Sequence, residues 1–128
     1  VVLSSWEVGR MKKIKVPHVI VLINPSKPEP QQDLNGEIKL FTNQLEEFAH
    51  LNFSKVKKER MVYISGVNVD GEYRKRGYGR LLVSIFESLV KSWSLKQIYL
   101  IVADYDAEKF WKKMGYVEEE DYMVKKIK

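Results

Sequence analysis

The order of patterns along this chain predicts an α/β or α+β fold, a sheet with helices packed on it. Three observations carry that expectation. Runs rich in β-branched and aromatic residues recur at 16–23, 60–69 and 97–103. Between the last two runs lies an apolar stripe at helical spacing, Leu81, Leu82, Ile85, Phe86, Leu89, Val90 and Trp93. The length of 128 residues, 45% of them hydrophobic, suits one compact domain with its own core and is too short for two. A single domain over 1–128 is expected.

In chain order, "VPHVIVLI" (16–23) reads as a buried strand. Residues 24–36, with three prolines and polar filling, read as a long mobile loop. A short strand follows at 37–41. Asn43 and Glu46 stand at capping-box spacing and predict a helix to about Leu51, with Leu45, Phe48 and Ala49 on its buried face. "RMVYISGVNV" (60–69) reads as a central strand, in which Gly66 marks a bulge or a close backbone approach. The apolar stripe predicts a helix to about Trp93, and "QIYLIVA" (97–103) another strand. Ala107, Phe110, Trp111 and Met114 form a short helical stripe, which Gly115 is suited to end in the left-handed conformation. A last strand is expected over 122–127.

Composition excludes several functions. Without cysteine there are no disulfides and no thiolate metal sites. His18 and His50 are the two histidines, too few for a histidine-rich zinc site, so no metal is expected and both read as structural or exposed. No apolar run approaches the roughly 20 residues of a membrane span, and no secretory pattern opens the chain. Its first residue is Val, so a piece of a longer, intracellular protein is expected, nuclear or cytoplasmic. The net charge of +5 and pI of 9.3 suit nucleic acid, an acidic membrane or a phosphorylated ligand. Basic residues cluster at Lys12, Lys13 and Lys15, at Lys55, Lys57, Lys58 and Arg60, and at 74–76; an acidic run occupies 118–121.

The stretch "EYRKRGYGRLL" (72–82) carries the most chemistry. A helix N-terminus exposes about four backbone N–H groups without helical partners, and its dipole adds roughly half a positive charge. Anions bind at such ends. Gly77 and Gly79 would let phosphate oxygens approach the amides, while Arg74, Lys75, Arg76 and Arg80 add charge. Leu82 stands where a dinucleotide fingerprint needs a third glycine, and no GK[ST] follows as in a P-loop. Taken alone, the pattern fits equally a glycine turn beside a solvated basic patch.

Arg74-x-x-Gly77-x-Gly79 together with "ADYDAEKFWKKMGY" (103–116) resembles the GNAT superfamily of acetyl-CoA-dependent N-acetyltransferases, nearest its histone and lysine acetyltransferase branch. The resemblance covers 60–116 and lies in the order strand, glycine loop, helix, strand, short helix. It implies a mixed, mostly antiparallel sheet flanked by helices, with acetyl-CoA as cofactor. The backbone of Val67, Asn68 and Val69 would hold the pantetheine arm, and the loop from Arg74, Lys75 and Arg76 through Gly77, Tyr78, Gly79 and Arg80 the pyrophosphate. Asp104, Phe110 and Trp111 would complete the cofactor site. An amine, of a protein lysine or a histone tail, would attack the thioester directly in a ternary complex. A carboxylate would take its proton.

The chain departs from this pattern in two ways. Tyr63 stands where the histone-modifying branch carries a glutamate, leaving Glu59 and Asp70 as candidate catalytic carboxylates. Trp111 stands at the position of a general-acid tyrosine and has no titrating hydroxyl. The N-terminal third shows one strand, a proline-rich loop and one helix, where the resemblance implies a strand and two helices building the acceptor side. That side is expected to be abbreviated, or completed by further sequence or a partner chain. A catalytically inactive CoA-binding or protein-interaction module is the alternative to an enzyme. Direct nucleic-acid binding is disfavoured, because the aromatic residues fall on buried stripes and not on a polar strand face.

Overall fold

The computed structural model describes residues 17–25, 27, 29–102 and 104–128. Val16, Ala103 and the basic residues Lys12, Lys13 and Lys15 lie outside the described residues. Strands β1 (His18–Ile23), β2 (Gln32–Phe41), β3 (Glu47–Val56) and β4 (Met61–Val69) follow one another. A 3-10 turn (Gly71–Tyr73) leads to helix α1 (Tyr78–Ser92), β5 (Gln97–Leu100), helix α2 (Tyr105–Lys113), β6 (Val117–Glu119) and β7 (Tyr122–Lys126). The strands form one seven-stranded sheet in the order β1-β2-β3-β4-β5-β7-β6. Every pair is antiparallel except β4 and β5, which α1 joins as a parallel crossover.

The second half follows its sequence pattern closely. At Gly66 the β3–β4 register slips, Asn52 facing Gly66 and Phe53 facing Ile64, so Ser65 is the extra residue of a bulge. Gly115 adopts φ +95 beyond α2. Helix α1 buries Leu82, Val83, Phe86 and Val90 against the inner face of the sheet, where Ile38, Leu40, Leu51, Phe53, Val62, Ile64, Ile98 and Leu100 lie. The Phe53 and Phe86 rings meet at 4.9 Å between centroids. The strand expected over 97–103 pairs only as far as Leu100, and the hairpin strand β6, which was not expected, carries part of the acidic run.

The first half departs from expectation in three places. No helix spans 43–51. Thr42 Oγ1 accepts from the N–H of Gln44 and of Glu46, both at 3.2 Å, and Leu45 turns to φ 63, so the chain reverses and enters β3. The strand wins because β3 pairs on both edges and buries Phe48, Leu51 and Phe53, whereas Leu45 is 68% exposed. The loop expected over 24–36 shrinks to 24–31, since Gln32 onward belongs to β2. Asn24 closes it, its N–H donating to the Asn35 carbonyl at 2.6 Å and its side-chain oxygen accepting the Asn35 N–H at 2.8 Å. Finally, β1 is not buried. It is an edge strand, its Val19, Ile20 and Ile23 between 44% and 48% exposed, because β2 is its one sheet neighbour among the described residues.

A polar clamp ties the C-terminal hairpin to α1. Tyr116 donates its hydroxyl to Glu87 Oε2 at 2.9 Å. Lys125 Nζ donates to Glu87 Oε1 at 3.0 Å and to the Met114 carbonyl at 2.8 Å. Burial, then the charge of Glu87, pushes the Tyr116 phenol well above its ordinary range. Glu87→Ala should therefore cost about 1–3 kcal/mol, the scale of leaving buried polar groups unmatched. Gly36→Ala should destabilise by a similar ~1–3 kcal/mol, because a Cβ there would run into the Phe53 ring and the Leu22 carbonyl. Urea denaturation with an unchanged m-value measures both.

Candidate functional site

The local geometry begins with a wedge in the sheet. β4 and β5 pair only at Met61↔Gln97, Val62↔Ile98 and Tyr63↔Tyr99. Beyond Tyr63, β4 stays on β3 as far as Val69↔Ala49, while β5 stays on β7 through Leu100↔Met123. From Ile64 onward, β4 has no strand partner on its β5 side among the described residues. Six residues of extended chain, about 20 Å, separate the foot of the wedge at Tyr63 from its mouth at Val69. Val67, Asn68 and Val69 edge it. The Val69 carbonyl is already engaged, accepting from Arg74 Nε at 2.9 Å.

At the mouth lies the glycine loop. Lys75 (φ 62) and Gly77 (φ 88) both take the left-handed conformation. Leu81 is the residue whose N–H closes on the Gly77 carbonyl, at 3.0 Å, so the turn from Gly77 to Arg80 forms the helix end. A Cβ at Gly77 would meet no atom within 4 Å, whereas one at Gly79 would touch the Phe110 ring at 3.4 Å. Gly77 therefore borders open space, and Gly79 leaves space for Phe110. Arg74, Lys75, Arg76 and Arg80 are exposed around this end. Arg74 serves partly as a clasp on β4; Lys75 and Arg80 form no ion pair among the described residues. Tyr78 turns its buried ring into the core, edge-on to Phe48 at 4.9 Å.

Other expected site residues have structural duties. Asp104 caps α2, its Oδ1 accepting the Ala107 N–H at 2.8 Å. Trp111 is 6% exposed, edge-on to Phe110 at 5.1 Å and to Tyr116 at 5.0 Å. The two candidate carboxylates stand at opposite ends of β4. Asp70 is beside the glycine loop, its N–H donating to the Phe48 carbonyl at 2.8 Å. Glu59 lies in the exposed turn before β4, where its charge joins burial in raising the Tyr99 phenol above its ordinary range. At the foot of the wedge itself are the stacked Tyr63 and Tyr99, centroids 5.0 Å apart.

Sequence reasoning read His50 as structural or exposed and passed over Asn52 and Ser54, the other polar residues of β3 turned the same way. His50, Asn52 and Ser54 alternate with buried Leu51 and Phe53 and so share the face turned away from α1. The period-two pattern over 48–54 carried that signal, masked by the capping-box spacing before it. The acidic run has a place as well. A cleft of about 180 Å³ is lined by Val102, Asp104, Glu108, Glu118, Glu120, Asp121, Tyr122 and Met123. Lys112 pairs with Glu108 at 2.9 Å and feels Glu118 more weakly. No group of carboxylates and histidines among the described residues could hold a metal ion. No helix among them is long and apolar enough to cross a membrane.

Residues 38–116 match the model of the acetyltransferase (GNAT) family. No curated protein matches. Among solved structures, the chain resembles an acetyltransferase of the GNAT family from Staphylococcus aureus Mu50, with 16% identity and a TM-score of 0.66 over 73% of this chain and 68% of that one. Tetrahymena GCN5 is 18% identical, with a TM-score of 0.64 over 78% and 71%. Nourseothricin acetyltransferase is 15% identical, with a TM-score of 0.65 over 80% and 69%. At these identities the likeness is one of fold.

Trp111→Ala should cost about 3–5 kcal/mol as the deletion of a buried aromatic, and Trp111→Phe far less, since an apolar ring remains. Gly77→Ala should cost about 1–2 kcal/mol for a side chain in the left-handed region. Thermal and urea denaturation check the three variants. A Trp111→Ala protein as stable as the parent would contradict the core assignment.

Proposed function

The chain belongs to the GNAT acetyltransferase family, and from that premise we propose that it is an N-acetyltransferase that moves the acetyl group of acetyl-CoA to an amine, a protein lysine being the acceptor. The wedge between β4 and β5, opening onto the glycine loop, is the observation that carries this function. The residues present fit CoA. Gly77 leaves unfilled space at a helix N-terminus, Lys75, Arg76 and Arg80 surround it with positive charge, and the free edge of β4 offers backbone groups to an extended amide-bearing arm. When bound, acetyl-CoA supplies an activated acyl group. The chain's own work is then to anchor the phosphates at the loop, to align the arm along β4, and to receive the amine beside that strand. A lysine ammonium must shed a proton to become a nucleophile. A lysine acceptor, as in a histone tail, is favoured by the carboxylates of Asp104, Glu118, Glu120 and Asp121 in the cleft beside Tyr122.

A CoA-binding module without turnover is the second reading. It is favoured by Tyr63 at the foot of the wedge, where the family resemblance implies a glutamate, by the distance of Asp70 from that point, and by the exposed position of Glu59 in the turn before β4.

Isothermal titration should show acetyl-CoA binding below millimolar concentration. Gly77→Glu should abolish it by filling the cradle with a negative side chain. Lys75→Ala and Arg80→Ala should weaken it more at low salt than at high, since exposed charges are screened over about 8–10 Å near physiological ionic strength. No heat and no thermal shift with acetyl-CoA would remove the cofactor assignment. Binding without acetyl transfer to any member of a lysine-peptide array would select the second reading.

A further inference from the structure

On the face of the sheet turned away from α1, His50 and Asn52 of β3 stand across the ladder from Asn68 and Gly66 of β4. This is the stretch of β4 whose other edge bounds the wedge. Glu47 Oε2 lies 3.4 Å from His50 Nδ1, and Glu47 Oε1 lies 3.1 Å from Lys39 Nζ. Glu37 also approaches Lys39, at 3.7 Å. Hydrogen bonding and charge from Glu47 hold the Lys39 ammonium above its ordinary range, so the lysine stays charged and fixes the carboxylate. With Nδ1 turned to Glu47, Nε2 is the imidazole nitrogen directed elsewhere, and the side chain is 34% exposed.

Two further observations fall beside it. Asn52 Oδ1 is buried and has no hydrogen-bond partner among the described residues, an unmet acceptor of the kind that native structures reserve for a ligand or water. A Cβ placed on Gly66, directly across from Asn52, would meet nothing within 4 Å, so the space above Gly66 is open and the Asn52 side chain, whose oxygen is covered where it stands, has room there to turn. The site thus combines a base backed by a carboxylate, an acceptor awaiting a donor, and space between β3 and the wedge.

Resting on the acetyl-transfer function proposed above, we infer that this face receives the acceptor amine and that His50, not Glu59 or Asp70, is the catalytic residue that takes its proton, with Asn52 holding the nitrogen. One N–H of the acceptor ammonium donates to Asn52 Oδ1. The nitrogen gives one proton to His50 Nε2, from which it passes to solvent. Its lone pair then forms the C–N bond as the C–S bond breaks, and the second proton the nitrogen loses ends on the departing sulfur. The products are an amide and a thiol. Asp70 stands two residues beyond Asn68, beside the glycine loop. Glu59 lies seven residues before Gly66, in the turn ahead of β4.

The chain has two histidines, which makes the test direct. The full chain, labelled with ¹⁵N at its imidazoles and assigned with His18→Gln, is titrated with Nα-acetyl-lysine methylamide, with and without CoA. The His50 ring signals should move and those of His18 should not. The norleucine analogue, which lacks the ammonium, should move neither. In steady-state assays His50→Gln should lower kcat by roughly 10²-fold or more with the acetyl-CoA KM unchanged. Added imidazole should restore part of the turnover of His50→Ala, which a merely structural loss would not allow. Asn52→Ala should raise the acceptor KM about tenfold, the scale of one hydrogen bond from a charged donor. Glu59→Gln should turn over like the parent. If His50→Gln is as active as the parent, or the His50 signals ignore the lysine probe while acetyl-CoA binds, the inference falls and acetyl transfer stands. If the parent neither binds acetyl-CoA nor transfers acetyl, both fall together. Should His50→Ala fail to fold, His50→Asn and the titration of the parent decide.

Discussion

The early end of pairing between β4 and β5 is the constraint on which the rest of the molecule depends. Three residue pairs join the two strands before they part. Several contacts hold β4 to the other side. The bulge at Ser65 bends it, Asp70 N–H bonds the Phe48 carbonyl at 2.8 Å, and Arg74 clasps the Val69 carbonyl at 2.9 Å. β5, only four residues long, is held by β7. A sheet opened in this way presents backbone donors and acceptors that seek an extended partner. The glycine loop lies at the mouth of that opening because the parallel crossover through α1 must begin where β4 ends.

Aromatic packing keeps the loop in position. Phe48 lies 4.5 Å from the Tyr73 ring and 4.9 Å from Tyr78, so the residues on both sides of the basic turn are anchored in the core. Phe110 closes over Gly79 from α2, and Trp111 with Tyr116 carries that contact down to Glu87. The aromatic residues around the loop thus brace it from below. The backbone and the exposed cations make up its outer surface, so a braced turn carries positive charge at its rim.

The two faces of the sheet are equally distinct. Leu51 and Phe53 sink toward α1, while His50, Asn52 and Ser54 alternate with them onto the opposite face. The same alternation sends Val62 and Ile64 inward and Tyr63 outward, and Ile98 and Leu100 inward and Tyr99 outward. One face is therefore an apolar core. The other carries a row of polar and aromatic side chains running across the foot of the wedge, next to the carboxylate-lined cleft at Tyr122.

Local patterns along the chain were sufficient for most of the second half, the hairpin strand β6 and the early end of β5 apart. The stripe from Leu81 to Val90, the glycines at 77, 79 and 115 and the bulge glycine at 66 each act through their own backbone or a few neighbours, so strand, loop, helix and the family resemblance were all legible in order. The first half was not legible to the same degree. Asn43 and Glu46 satisfy a capping rule, yet β3 forms because its two edges are filled by β2 and β4, strands distant in the sequence or separated by turns. The division of the site residues was likewise decided in three dimensions. Asp70 and Glu59 are equally plausible carboxylates on paper, but an extended strand sets them at opposite ends. Tyr78 and Trp111 sit inside the motifs and yet turn into the core, and His50 is set between Lys39 and Asn68 only through the register of the ladder. The sequence by itself determined the elements whose causes are local, because propensity and periodicity act over a few residues. Tertiary structure decided which side chains meet, because strand pairing joins residues that no local pattern connects.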